Sequence, residues 1–425
     1  MTYQAIVGAL RVSPHPNADR LQVGHICGAR VIVGLEAKDG DLYAFFDSDG
    51  QLSPEFCKQH DLIGYTDEQG VKRGGYFSDK RRVRAQTFRG VKSEGYAVPI
   101  SWFEFTGYDI SKLKVGDMFD SLNDVPICNK YYTMATRARI DSSPKKTNQL
   151  KIDFPQHFET AQYRYAYIEP GSLVHISEKE HGTSFRYGRV PTEQKEPWYR
   201  KALMGLCRFI SLKVLKMDYH DWQYWEHHLG TRRAILPKKT ETEYGGGFYG
   251  NGDPYDLAPK KLYGKLKRGE IVYGEIVGYL KTGAALFTHN ISSLKELVKL
   301  YGDHITYSYG CVEGESRLRV YRITQDGREL SQYELWKRCE ELGVEPVTHI
   351  TSLVYDGDKD KLDAIIQSHT EGSSLIDPRH IREGVCVRVE SRDGTKIYKE
   401  KSWSFKVAEG IIKDNDTYVD AEEVA

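Results

Sequence analysis

Lys179 stands in the run His175-Ile176-Ser177-Glu178-Lys179-Glu180-His181-Gly182-Thr183-Ser184-Phe185. A lysine amine is a nucleophile only when its neighbours hold it unprotonated, so the setting decides the chemistry. Apolar, β-prone Leu173, Val174 and Ile176 lead into it, Gly182 supplies a tight turn after it, and a further strand begins near Phe185. A surface lysine beside a hairpin turn would look the same. The chain beyond Phe185 separates the two readings.

Five more pieces come in order: Thr231-Arg232, Tyr273-Gly274-Glu275, Val320-Tyr321-Arg322-Ile323, Glu383-Gly384-Val385 and Lys399-Glu400-Lys401. Carboxylates are the hard oxygen ligands a divalent cation takes, and Glu275 and Glu383 qualify. Lys399 and Lys401 are read as facing opposite sides of their strand, one to ground an α-phosphate and the other to reach a second phosphate or the leaving group. Tyr321 offers an aromatic face for stacking. Taken singly, Glu275 and Glu383 read as strand carboxylates and Tyr321 as a core aromatic. Their succession carries the argument.

The elements that must position these residues are mixed. From residue 1 to about 125, short alternating strands are punctuated by Gly, Pro and Asn/Asp clusters, as in Leu21–Ile26, Arg30–Val33 and Leu42–Phe46. That rhythm predicts a small β-barrel. Residues 126–150 read as a basic, exposed linker and 151–425 as a second domain. Helical character is expected near Phe158–Gln162, over Trp198–His228, Ile291–Tyr301, Gln332–Leu342 and Asp358–Gln367, with a strand over Leu229–Ile235. The glycine-rich stretch Tyr244–Gly252 lacks the phosphate-loop pattern and reads as a surface loop. His220, His227 and His228 show no convincing zinc spacing and read as packing or solvent-exposed residues. After Lys406 only an acidic tail, with Asp420, Glu422 and Glu423, is expected.

Composition narrows the class. The 425-residue chain is 40% hydrophobic and 28% charged, with zero formal net charge and 29 tyrosines. Global basicity therefore does not advertise nucleic acid, although a local basic groove would suffice. Seven cysteines without a Cys-x-x-Cys pair fit a reducing compartment. No run reaches membrane-span length and the amino terminus opens into a strand, so the chain reads as cytoplasmic, in a host cytoplasm if phage-encoded.

Two stretches at the front, Pro14-His15-Pro16-Asn17-Ala18-Asp19-Arg20-Leu21 and Phe88-Arg89-Gly90-Val91-Lys92-Ser93-Glu94-Gly95-Tyr96, resemble the OB-fold tRNA-binding module of the phenylalanyl-tRNA synthetase β chain. Between them, Lys80-Arg81-Arg82-Val83-Arg84 is either a phosphate-tracking edge, aided by Tyr76 or Phe77, or a solvated strand face.

The downstream motifs resemble those of the ATP-dependent RNA and DNA ligases and capping enzymes. Glu178-Lys179-x-His181-Gly182-Thr183 looks most like the RNA ligase 2 branch. With the synthetase-like module in front, the chain is similar to bacterial and phage RNA ligases that carry an N-terminal OB domain. This implies an α+β fold, with an OB-like barrel before an adenylation domain of antiparallel sheets and flanking helices. It implies ATP and Mg2+ or Mn2+ as cofactors, with AMP carried covalently on Lys179. Lys399 and Lys401 would act on phosphates, and His181 would contact phosphates during sealing. Glu178 would lie near the purine edge, Arg232 (or its rival Arg233) at the ribose, and Tyr321 against adenine. Glu383 would support the metal, and Glu275 the ribose or hydrated metal. Expected partners are RNA or RNA/DNA hybrid ends, a nicked duplex above all, met by a monomer without a membrane.

Arg322 departs from the family pattern, which has aspartate there. DNA ligases and capping enzymes share the motifs but normally carry an OB domain after Lys-x-Lys, where this sequence has 24 residues. An RNA-binding protein with a retired transferase domain is the rival from another class. The retained Lys179, Glu275, Glu383, Lys399 and Lys401 speak against it.

Overall fold

The computed structural model describes residues 3–66, 68–142, 152–155, 160–192, 224–245 and 253–419, with isolated positions in 199–213 and at 249. Beyond residue 160 the chain builds two mainly antiparallel sheets. The first sheet has the strand order Ala161–Gln162, Gly394–Lys401, Gly384–Ser391, Leu173–Lys179, His349–Val354. The second runs Tyr224–Gly230, Thr183–Thr192, Glu270–Gly278, Ser316–Gln325, Arg328–Glu329, with Glu345–Pro346 added beside Ser316–Gln325. Strands Leu173–Lys179 and Thr183–Thr192 are consecutive in the chain, so the turn after Lys179 hands it from one sheet to the other.

Period-two alternation sorts the first sheet into two faces. Val174, Ile176, Val385, Val387 and Val389 are buried on one face against Leu362 and Ile366 of the helix Lys359–Thr370. Burying each such aliphatic side chain contributes roughly 2 kcal/mol. The opposite face is left to Ser177, Lys179, Cys386, Arg388, Ile397 and Lys399, which line a cleft. Behind the second sheet, Phe185, Val272, Ile276, Leu318 and Val320 pack with Leu335, Cys339 and Leu342 of the helix Gln332–Leu342. Local chemistry fixes the bounds of that helix. Ser331 and Glu334 form a reciprocal capping box, and Gly343 ends it at φ 70°.

The N-terminal module holds a four-stranded sheet (Gly95–Pro99, Leu42–Asp47, Ala5–Ala9, Met118–Phe119) and a three-stranded one (Arg11–Pro14, Gln22–Ile26, Ala29–Val33). Strand pairing among the described residues does not run round a closed barrel. The two front motifs meet: His15 Nε2 lies 3.1 Å from the Phe88 carbonyl and Asn17 donates to the Arg89 carbonyl at 2.8 Å.

Several expectations are corrected. The connector assigned to 126–150 begins as structure: Cys128–Lys130 pairs with Gly50–Leu52, and a helix covers Met134–Ser142. Thr133 receives the Thr136 N–H at 3.1 Å and so starts that helix. Ala161–Gln162 is a strand rather than helix, paired in parallel with Tyr398–Lys399, while 156–159 lie outside the described residues. The last part of the helix expected over Trp198–His228 is instead a strand, which begins at Tyr224. Most of 193–223 and of the glycine-rich loop lies outside the described residues, as do His220 and 420–425.

The end of the chain departs furthest from expectation. Ser402 caps a helix, Trp403–Lys413, receiving the Phe405 N–H at 3.1 Å. Three residues of the basic stretch Lys80–Arg84 are paired with acids. Lys80 pairs with Asp416 at 3.2 Å, Arg84 with Asp414 at 2.6 Å and Arg82 with Asp49 at 3.3 Å. No described helix is long and apolar enough to cross a membrane.

Candidate active site

Lys179 ends its strand opposite Gly384. Its ammonium lies 2.8 Å from Glu383 Oε1, and Lys401 reaches the same oxygen at 3.7 Å. His181 Nδ1 faces the other oxygen at 3.4 Å without a well-formed hydrogen bond. Burial alone would raise the Glu383 carboxyl, but Lys179, His181 and Lys401 outweigh it and hold it well below the carboxylate range. Close backbone approach explains the glycines. A Cβ on Gly182 would lie 2.3 Å from the Ile276 carbonyl, and one on Gly384, at φ +150°, 2.1 Å from that of Glu400. Gly182 is therefore required by the crossing of the two sheets.

Register places the remaining residues. Ser177, Cys386 and Lys399 lie side by side across three strands, and Lys179, Gly384 and Lys401 form the next row. Lys399 and Lys401 are two residues apart, which returns a strand side chain to the same face. The expectation that they point to opposite faces is thus wrong. Both belong to the cleft side, with Lys399 in the cleft and Lys401 at Glu383. The cleft encloses about 1010 Å³ of empty space, mouth included, and is also lined by Glu178, Arg232, Glu275 and Tyr321.

Arg232 is carried on a turn, not at the centre of the expected strand, which stops at Gly230. The turn closes with Thr231 N–H donating to Ala234 O at 2.9 Å. Buried Arg186 fixes it by donating to the Thr231 and Arg232 carbonyls at 2.7 and 2.8 Å. Burial pulls the Arg186 guanidinium down to about 10, and it lies over the Phe154 ring at 4.7 Å. Arg232 lines the cleft and Arg233 is exposed, which separates the two rivals by position. Tyr321 sits at the extra position of a β-bulge: Tyr273 pairs with Arg322 and Gly274 with Val320. A bulge re-aims a side chain, and this one lines the cleft beside Glu275.

Three supporting residues escaped the motifs. Glu180, fully enclosed, receives Arg319 through two bonds at 2.8 and 3.1 Å and the Thr348 N–H at 3.0 Å. It locks the turn after Lys179 onto the second sheet. Tyr309, the second, places its hydroxyl oxygen 2.5 Å from the His181 N–H. Arg186 is the third. Only pairing that spans more than a hundred residues for the first two, and a turn for the third, gives them meaning. Glu178 turns to the Leu375 N–H at 2.8 Å, and burial raises its carboxyl. Arg322 donates to Glu329 at 2.6 Å, so an acid reaches it from the neighbouring strand.

The described residues hold no group of three or more His, Cys, Asp or Glu able to bind a metal unaided. His227 and His228 are buried, and His227 stacks on Tyr187 at 5.4 Å. A hard cation that keeps waters and takes phosphate oxygens needs only one or two protein carboxylates. Buried Glu383, with one oxygen short of a hydrogen bond, fits that requirement.

The chain shares its fold, two sheets across a lysine-floored cleft, with solved structures of the Naegleria gruberi RNA ligase. A mutant with ATP and Mn matches over 95% of this chain and 98% of its own, with a TM-score of 0.57 at 14% identity. The enzyme with PPi matches over 97% and 99%, at 0.56 and 16%, and another mutant with AMP and Mn over 95% and 97%, at 0.56 and 15%. No protein-family model and no curated protein matches the sequence.

Proposed function

We propose that the protein is an ATP-dependent RNA ligase that joins 3′-hydroxyl and 5′-phosphate ends through a lysyl-AMP on Lys179. The observation that carries this is the convergence of Lys179, Arg232, Glu275, Tyr321 and Lys399 on one cleft, with Glu383 and Lys401 at the nucleophile. The likeness to structures of an RNA ligase solved with ATP, AMP and PPi supports it.

In the first step Lys179 Nζ attacks the α-phosphorus of ATP. A nitrogen–phosphorus bond forms, the bond to the bridging oxygen breaks, pyrophosphate leaves and the amine proton passes to solvent. Next, an oxygen of the RNA 5′-phosphate attacks the same phosphorus, the nitrogen–phosphorus bond breaks, Lys179 takes back a proton, and a 5′–5′ pyrophosphate results. Last, the 3′-hydroxyl attacks the activated phosphate and gives its proton to solvent, the bond to the bridging oxygen breaks, AMP departs and a phosphodiester remains.

Catalysis here is positioning plus charge stabilisation. Lys399 and Lys401 balance phosphate charge from one face, Tyr321 stacks on adenine, Arg232 and Glu275 hold the ribose side, Glu178 lies by the purine edge, and His181 contacts phosphate during sealing. Glu383, with Glu275, would hold Mg2+ or Mn2+. Bound there, the cation would occupy the carboxylate that pairs with Lys179, favouring the neutral amine, and would neutralise phosphate charge.

The front motifs support reading the module as OB-like and as a support for the polynucleotide. The substrate is a nick or break whose 3′-hydroxyl strand is RNA, with DNA tolerated on the 5′-phosphate side, and the protein acts as a cytoplasmic monomer. Sealing assays on nicked duplexes with RNA or DNA at each end test this. Joining is expected whenever the 3′-hydroxyl terminus is RNA. Equal joining with a DNA 3′ terminus would contradict the RNA assignment.

A further inference from the structure

Side chains of alternating charge run without a gap from the nucleophile into the module. Beyond Lys179, Glu383 and Lys401, the helix Trp403–Lys413 supplies Glu409. Its carboxylate receives Lys401 through both oxygens, at 3.0 and 2.8 Å, and lies 3.0 Å from Lys413 Nζ. Lys413 then reaches Asp49 at 3.2 Å, and Asp49 lies 3.3 Å from Arg82. Lys401 and Glu409 are only 15% and 14% exposed, so these pairs are weakly screened.

Lys401 has two carboxylates in reach and leans on Glu409, which leaves Glu383 to Lys179. Glu409 serves two lysines, and Asp49 takes up part of the charge of Lys413. Burial would raise the Asp49 carboxyl, yet Lys413, helped by Lys401 and Arg82, draws it down to about 2. A buried charge that loses its partner must find another. Without the charge of Asp49, Lys413 leans more on Glu409, Glu409 loosens from Lys401, and Lys401 moves towards Glu383.

We infer that Asp49, acting through Lys413 and Glu409, is a positioning residue for Lys401 and so for transfer of AMP to Lys179. This inference rests on the ligase reading of the cleft. It gives the module a part in the chemistry that requires no contact with nucleic acid.

Asp49 sits at φ 81°, a left-handed conformation that Asn also tolerates, so Asp49→Asn removes charge and keeps shape. Glu409→Gln does the same on the helix. The test measures the rate of label transfer from α-labelled ATP to the full-length protein, alongside Tm. Asp49→Asn and Glu409→Gln should each slow transfer about tenfold or more, within the ~100-fold that an ångström of misplacement can cost. The double variant Asp49→Asn/Lys413→Met should recover most of the wild-type rate, because removing both charges leaves Glu409 to Lys401. A general loosening of the fold would not be rescued by a second substitution. Wild-type transfer in Asp49→Asn, or a double variant slower than the single one, would overturn the inference while leaving the ligase reading intact. Absence of label on the wild type would overturn both.

Discussion

At the scale of single residues, the account turns on which groups share a face. Tyr321 reaches the cleft from the bulge, and its value is the aromatic plane. Tyr321→Ala should raise the KM for ATP about two- to tenfold, the size of a stacking contact of ~0.5–1.5 kcal/mol, while Tyr321→Phe stays near wild type. Initial rates of enzyme–AMP formation across ATP concentrations would show it. Equal KM values for both variants would mean that the ring touches no base. Lys179, proposed as the nucleophile, and the cleft residues around it were legible in the sequence because each sits in a short motif. Glu180, Arg186 and Tyr309 were not, since each is defined by a partner or a carbonyl that only the folded chain brings near.

At the scale of elements, the strand that hands the chain across the sheets is held by glycines chosen for clearance. Gly182→Ala would drive a Cβ against the Ile276 carbonyl, so it should cost about 2–3 kcal/mol and lower Tm by several degrees. Unchanged Tm would show that the two sheets can separate locally. On the outer strand, burial, with Arg189 and Lys238, lowers the His227 imidazole to about 4. A folded value below the ordinary 6.5 means that the fold prefers the neutral ring. Its contribution is complete above about 6.5 and lost as pH falls from there towards 4, at most about 3 kcal/mol. Denaturant midpoints between pH 7 and 4 should fall more steeply for the wild type than for His227→Phe, and parallel curves would contradict this. Strands such as Glu270–Gly278 and helices such as Gln332–Leu342 were legible through period and caps. Trp403–Lys413 was missed because Ile397-Tyr398-Lys399-Glu400-Lys401 alternates like a strand straight into it, and only the Ser402 cap marks the change.

At the scale of the whole molecule, buried charge joins the module to the second domain. Arg164 lies 3.8 Å from Glu94 and 2.5 Å from Glu400, and Lys406 lies 3.8 and 3.7 Å from the same two. These groups have side chains 3–4% exposed except Glu94 at 22%, so a lost partner leaves uncompensated charge in a dry site. Arg164→Met should cost about 3–5 kcal/mol and separate one cooperative thermal transition into two. A single transition at the wild-type Tm would argue against an electrostatic joint. The sequence does not show this joint, because Glu94, Arg164, Glu400 and Lys406 lie far apart in the chain, as do Lys80 and Arg84 from their partners Asp416 and Asp414.

The most direct test of the central claim is covalent labelling. Purified protein freed of bound AMP is incubated with α-labelled ATP and magnesium or manganese, then separated under denaturing conditions beside Lys179→Ala. The account predicts label that survives denaturation on the wild type and none on the variant. Label on both, or on neither under either metal, would contradict a lysyl-AMP at Lys179.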